Sequence, residues 1–261
     1  MKPGGRFRRS ATLSVLMSRL DFVFIERDFL MSSITITLLG HASIKLAPDS
    51  GKVVYLDPWL DENPTCSLNV ADVDQADVVI GTHGHNDHIG DSFGVCQKTG
   101  ATFVGNYELC LVAEKHGLTL GEDARPFNPG GTVALDGVDI TATQAFHSLS
   151  MSPGLALGAP TGDDYFRPDG GVCGIVMAFD NGITVYDTSD TALFSDMQVI
   201  SQMYGPQIAV LPVGGMFTMG IREAARAISY IRPDIAIPCH YGETLGQPAD
   251  IDALSDAVKF L

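Results

Sequence analysis

The segment Thr82-His83-Gly84-His85-Asn86-Asp87-His88 places three of the chain's seven histidines and one aspartate within six positions, directly after the apolar run Val78-Val79-Ile80. Three consecutive β-branched residues read as a buried strand, so the cluster falls where a strand ends and a loop begins. Imidazole nitrogen and carboxylate oxygen suit Zn²⁺, Fe²⁺ or Mn²⁺, and no cysteine lies within the cluster. His83 and His85 are two residues apart, so on extended backbone they project to the same side and can grip one ion. Asp87 and His88 lie beyond that pair, and a turn there would aim them at a second ion. A polar loop that is merely rich in histidine is the bland alternative, and this density of ligand-type residues argues against it.

The spacing His-x-His-x-Asp-His resembles the signature of the metallo-β-lactamase fold superfamily, matched by residues 83–88 without a gap. The resemblance implies three more ligands. His147 follows the strand-like run Val138-Asp139-Ile140-Thr141-Ala142-Thr143, as the family's third histidine does. Asp190 in Ser189-Asp190-Thr191-Ala192-Leu193-Phe194 resembles the family's Gly-Asp-Thr turn, with serine for glycine, and is the expected bridging carboxylate; Asp187 is the alternative. His240, after Ile235-Ala236-Ile237-Pro238-Cys239, matches the last histidine. Three further stretches, Leu39-Gly40-His41-Ala42-Ser43, Leu56-Asp57-Pro58-Trp59-Leu60 and Leu211 to Met219, are similar to a branch of bacterial metal-dependent hydrolases akin to L-ascorbate 6-phosphate lactonase. The likeness covers residues 34 to 261 and is silent on the substrate.

The resemblance implies an α/β (α+β) fold, a four-layered αββα sandwich, with two divalent metal ions, Zn or Mn, Fe being the other option. His83, His85 and His147 would hold one ion, Asp87, His88 and His240 the other, with Asp190 bridging. Free water has a pKa near 15.7 and zinc brings it to about 7; at about 1.4 kcal/mol per unit the metals supply roughly 12 kcal/mol of deprotonation. A hydroxide between the ions would then attack a lactone, ester or phosphodiester bond of a small molecule, anionic substrates included. Asp87 is carried as a catalytic residue as well as a ligand. His41, near the site mouth in this branch, would orient substrate or donate a proton. Asp57 is expected to orient a metal-bound imidazole from behind. Thr218, beside the paired glycines Gly214-Gly215, and Arg167, in the long Gly/Pro-rich stretch Ser148 to Gly171, are candidates for the substrate pocket.

Composition agrees. A chain of 261 residues with 45% hydrophobic content can bury one core. No apolar run reaches the roughly 18 residues that a membrane span needs. Five scattered cysteines with no Cys-x-x-Cys pair point away from a disulfide framework and towards a reducing, cytoplasmic setting. Cys239 reads as a buried strand residue rather than a ligand. His116, before a C-cap glycine, reads as structural. Residues 1 to 31 hold six Lys/Arg and three Asp/Glu, which leaves ten against twenty-eight in the remainder. So acidic a body offers phosphate backbones no basic stripe, and a nucleic-acid partner is not expected. The first 31 residues are expected to be an extension outside the fold, with 32–261 a single domain starting near Met31-Ser32-Ser33; a transit-like peptide is the alternative. A homo-oligomer is compatible with the family.

Strands are predicted at 34–39, 53–56, 78–80, 102–104, 138–143, 174–179, 183–186, 208–211 and 235–237. Helices are predicted at 109–116, 194–203, 221–231 and 251–260, and hairpin turns at Leu135-Asp136-Gly137 and Asp180-Asn181-Gly182. The rival function on the same fold is a mononuclear-iron oxidoreductase resembling persulfide dioxygenases. Fewer ligands would mark it. A flavin-dependent di-iron enzyme is disfavoured by His85, where those relatives carry glutamate, and a β-lactam-degrading enzyme by Asp190, where that branch carries cysteine.

Overall fold

The structure is a computed structural model that describes residues 14–15, 23–27, 30–148, 150–151 and 170–259. Its strands form two seven-stranded sheets. One sheet runs in chain order through β2 (Val23–Arg27), β3 (Leu30–Gly40), β4 (Ser43–Pro48), β5 (Val54–Leu56), β6 (Val78–Ile80), β7 (Thr102–Asn106) and β8 (Ala124–Phe127). The other is ordered β1 (Ser14–Val15), β14 (Ile235–Cys239), β13 (Ile208–Pro212), β12 (Thr184–Asp187), β11 (Cys173–Phe179), β10 (Val138–Gln144) and β9 (Thr132–Leu135). In each sheet an antiparallel half meets a parallel half, at β5 in the first and β12 in the second.

Alternation along the strands builds the layers. Val54, Leu56, Val78, Ile80, Val104, Val185, Ile208, Val210 and Ile237 pack into one core between the sheets. Their neighbours Tyr55, Val79 and Phe103 face the other way, into a core with α2 (Ser92–Thr99) and α3 (Tyr107–Lys115). Tyr186, Ala209, Leu211 and Ala236 do the same beneath α4 (Met197–Tyr204), α5 (Ile221–Ile231) and α6 (Ile251–Lys259). Strands buried on both faces carry unbroken apolar runs, and each large side chain contributes about 1.5–3 kcal/mol of burial. The result is the αββα sandwich that the resemblance implied.

Both predicted hairpins form, with Gly137 and Gly182 each at φ +84°. The sequence patterns did not signal β4, β8, β9, α2 or the short α1 (Asn86–Ile89). In β8, Arg125 and Pro126 interrupt the apolar pattern and only the end residues are buried; in β9 only Val133 is. Such strands exist because a neighbour offers an edge, not because their own pattern demands it.

Strands β3, β5, β6, β10, β12 and β14 all end at one rim, and His41, Asp57, His83, His147, Asp190 and His240 follow one to three residues later. Two backbone hydrogen bonds tie the halves together there: His240 N–H to His41 C=O at 3.0 Å, and Cys173 N–H to Thr82 C=O at 3.1 Å. Four residues of the rim adopt left-handed backbone, His41 (φ 54°), Asp57 (47°), Ser189 (55°) and His240 (54°). For residues other than glycine this costs about 1–3 kcal/mol each, and such positions gather at functional sites.

The first 31 residues depart from the expectation of an extension standing apart. Val23–Arg27 pairs antiparallel with residues 30–34 of β3, and Ser14–Val15 pairs parallel with β14. The eleven-residue β3 outruns its pairing with β4, which stops at Ile34–Pro48. Val-Phe-Ile in β2 supplies strand-forming residues for its exposed edge. Pairing with β2 lies at the end of β3 opposite His41. Deleting residues 1–31 is therefore expected to remove β1, β2 and the first two residues of β3 while leaving the other strands, the helices and the metal content in place; an insoluble truncation would show the edge strands to be indispensable.

Candidate metal centre

Six of the seven histidines converge at the rim, and only His116 lies elsewhere, capping α3 and stacked on Phe93 with ring centroids 4.7 Å apart. A bend at His83-Gly84, rather than the extended run expected from their spacing, brings His83 and His85 together ahead of α1. His85 Nδ1 stands 3.0 Å from His83 Nε2 and 3.3 Å from His147 Nε2. Ligands about 2.0–2.1 Å from a tetrahedral ion stand about 3.3 Å from one another, so both distances from His85 match what one ion would impose, and all three nitrogens lie within 4.8 Å of one another. The helical turn of α1, closed by His88 N–H to His85 C=O at 3.1 Å, carries Asp87 and His88 round to a second set. There Asp87, His88, His240 and His41 bring their ligand atoms within 4.8 Å of one another.

Asp190 stands between the sets. Its Oδ2 lies 3.0 Å from His240 Nε2, 3.4 Å from His88 Nε2 and 3.5 Å from His147 Nε2. His88 Nε2 and His240 Nε2 are buried and make no hydrogen bond. Two buried ring nitrogens without a hydrogen bond, gathered round one carboxylate, are what a cation site leaves in a protein interior. The donor set of imidazoles and carboxylates fits divalent metal.

The family comparison agrees with the centre. Residues 52–241, which include all the ligand-type positions from His83 to His240, match the family model described as the beta-lactamase superfamily domain. The chain belongs to that superfamily. A UPF0173 metal-dependent hydrolase of Methanopyrus kandleri is 40% identical over 79% of this chain and 84% of its own length. One of Rubrobacter xylanophilus is 37% identical over 79% and 81%. The solved structure of a metallo hydrolase from the archaeon Ignicoccus hospitalis superposes with a TM-score of 0.72 at 30% identity, covering 88% of this chain and 91% of that one. This superfamily member is a metal-dependent hydrolase.

In the hydrolase the electrostatics follow from burial and opposed charges. Burial, and then the neighbouring His88, hold His83 well below the ordinary histidine value; burial likewise lowers His147 against the pull of Asp190. Burial opposes charge on His88 too, yet the Asp190 and Asp57 carboxylates outweigh it and its pKa stands well above the usual range. Asp190 is the mirror case: burial would raise it, but His88 and His240 drive it well down. Asp187 is fully enclosed, and burial with nearby Asp57 pushes its carboxyl up to about 8. Asp187 accepts the Ser189 N–H at 2.6 Å and joins neither set. Cys239 points into the core between the sheets, its thiol raised by burial.

A cavity of about 290 Å³ opens over the centre, lined by His85, Asp87, His147, Ser148, Asp190, Phe217 and His240. Thr218, expected in the pocket, is not among these residues; its neighbour Phe217 is, and the Thr218 hydroxyl is buried without a hydrogen-bond partner. His41 does not line the cavity either. Its Nε2 is 3.0 Å from Asp87 Oδ2, and its ring lies 3.8 Å from that of His240. A Cβ on Gly214 would collide with the His240 carbonyl and Gln247 Oε1, so glycine there permits close approach of the two loops. Arg167, with Tyr165 and Phe166, lies outside the described residues.

Three supporting residues lie outside the ligand pattern. Thr82 bridges Asp57 and His83, Gln247 meets His240 Nδ1 at 3.2 Å, and Ser148 meets His85 Nε2 at 3.2 Å. Thr82 and Ser148 were findable as hydroxyls beside ligands; Gln247, seven residues past His240, carried no such signal.

Proposed function

We propose that the enzyme is a dinuclear hydrolase acting on a lactone, ester or phosphodiester bond of a small molecule. The observation that carries the reading is the position of Asp190, within 3.5 Å of imidazoles from both ligand sets. His83, His85 and His147 would hold one ion and Asp87, His88 and His240 the other. Such ions, when bound, lower the pKa of water to about 7 and polarise the oxygen of the electrophile. The protein's own part is positioning. Asp57 orients His88, Gln247 orients His240, and His41 braces Asp87. Phe217 and Ser148 flank the opening and would hold the substrate body, while burial of His83, His88 and Asp190 keeps the ligands fixed.

The cavity volume suits a small molecule, and the acidic body disfavours nucleic acid. Among the described residues no helix is long and apolar enough to cross a membrane. A cytoplasmic setting remains part of this proposal, on the absence of paired cysteine motifs, and so does the choice of Zn or Mn. Elemental analysis of protein purified without added metal or chelator is expected to find close to two zinc or manganese ions per chain. Hydrolysis of a lactone or phosphodiester panel should vanish with chelator and return with metal. One iron per chain, with oxidative turnover of a persulfide, would overturn the dinuclear reading.

A further inference from the structure

We propose that a single carboxylate, Asp57, sets the tautomer of one imidazole in each metal set, directly at His88 and through the Thr82 hydroxyl at His83. Thr82 and Asp57 are positioning residues in this scheme, which rests on the reading of His83 and His88 as metal ligands.

Proton counting assigns the direction of each bond. Thr82 Oγ1 lies 2.6 Å from Asp57 Oδ2. A carboxylate has no hydrogen to give, so the hydroxyl donates its only one. Thr82 Oγ1 also lies 3.0 Å from His83 Nδ1, and with its hydrogen spent it can only accept. His83 therefore carries its proton on Nδ1 and presents a bare Nε2, the atom that faces His85 and His147. On the other side, His88 Nδ1–H donates to the same Asp57 Oδ2 at 2.7 Å, so Nε2, 3.4 Å from Asp190 Oδ2, is the nitrogen that would meet an ion. The opposite tautomer in either ring would turn an N–H at the ion position.

The carboxylate is held for this task. Its second oxygen accepts the Thr82 backbone N–H at 2.8 Å, and the Asp57 carbonyl accepts from Ser43 Oγ at 2.7 Å. Asp57, Thr82, His83 and His88 are all buried, where hydrogen bonds are little weakened by water. Neither Asp57 nor Thr82 lines the cavity. The two ligand sets thus share Asp57 behind the rings as they share Asp190 in front.

Two measurements on the full-length chain test this. Long-range ¹⁵N–¹H correlation of labelled histidines should find the proton of His83 on Nδ1; a proton on Nε2 would overturn the proposal whatever the metal content. Competition titration of Zn²⁺ against a chromophoric chelator should then separate the residues. Thr82→Val keeps the branched shape but not the hydroxyl, and should weaken one of the two ions by about 10–100-fold while sparing the other. Thr82→Ser should restore wild-type affinity. Asp57→Asn, which tolerates the left-handed backbone, should weaken both ions. A Thr82→Val protein that binds both ions as the wild type does would sink the inference. A wild-type protein that binds fewer than two ions would instead break the dinuclear reading, and the His83 tautomer would still decide the part played by Thr82.

Discussion

Replacing His85 by alanine is expected to lower turnover by roughly 10³-fold or more and to strip the first ion, with the fold intact. His85 supplies the middle nitrogen of its set, 3.0 Å from one neighbour and 3.3 Å from the other. Two imidazoles without the third leave an ion under-coordinated, and the nucleophile at neutral pH goes with it. Unlike His83 and His88, His85 is only half-buried, so losing its ring opens no core cavity. The check is paired: zinc per chain by elemental analysis, and the circular dichroism and melting temperature of the variant. Normal turnover in His85→Ala would rule out the dinuclear scheme.

The second large effect separates two buried aspartates three residues apart. Asp190→Ala is expected to abolish activity and reduce bound metal, because Asp190, unlike Asp187, faces imidazoles from both sets. Asp187→Ala should keep activity per folded molecule and cost about 1–3 kcal/mol of stability, through the Ser189 N–H left without its buried acceptor. The reverse pattern would move the bridge to Asp187. A pH series gives an independent reading. The Asp187 carboxyl is raised to about 8 in the folded protein, above its value of about 3.9 in an unfolded chain. The folded state then holds this proton more tightly, so the carboxyl favours folding below about pH 4 and that contribution is lost as pH climbs towards 8. Asp187→Asn carries no titrating proton. In the metal-free protein it should flatten the fall of melting temperature between about pH 4 and 8, and an unchanged slope would show that Asp187 ionises normally.

Legibility differed from residue to residue for physical reasons. His83, His85, Asp87 and His88 were readable because one strand end and one helical turn hold them, so their geometry is local. His147, Asp190 and His240 were each readable only against the superfamily pattern; nothing within their own segments says that three separate strands end at the same rim. Asp190 and Asp187 illustrate the limit. Asp187 ends strand β12 and Asp190 follows it, and both are buried, yet three residues of chain turn one towards the imidazoles and leave the other enclosed with Asp57. His41, read as a residue near the mouth, contacts Asp87 and the tilted ring of His240 within the second cluster and does not line the cavity. The edge strands β1 and β2 were missed because charge and composition describe a segment, not the unpaired edge that waits for it.

The ligand types of the centre and the layering of the fold were legible in the chain alone. Both are encoded in short-range patterns, a ligand spacing and runs of apolar residues that must be buried on two faces. Which polar atoms stand behind the ligands was settled by long-range packing. Thr82, Asp57 and Gln247 act through bonds whose partners lie as far as thirty-one residues away. Such bonds depend on distances of a few tenths of an ångström between strand ends, which no local pattern records.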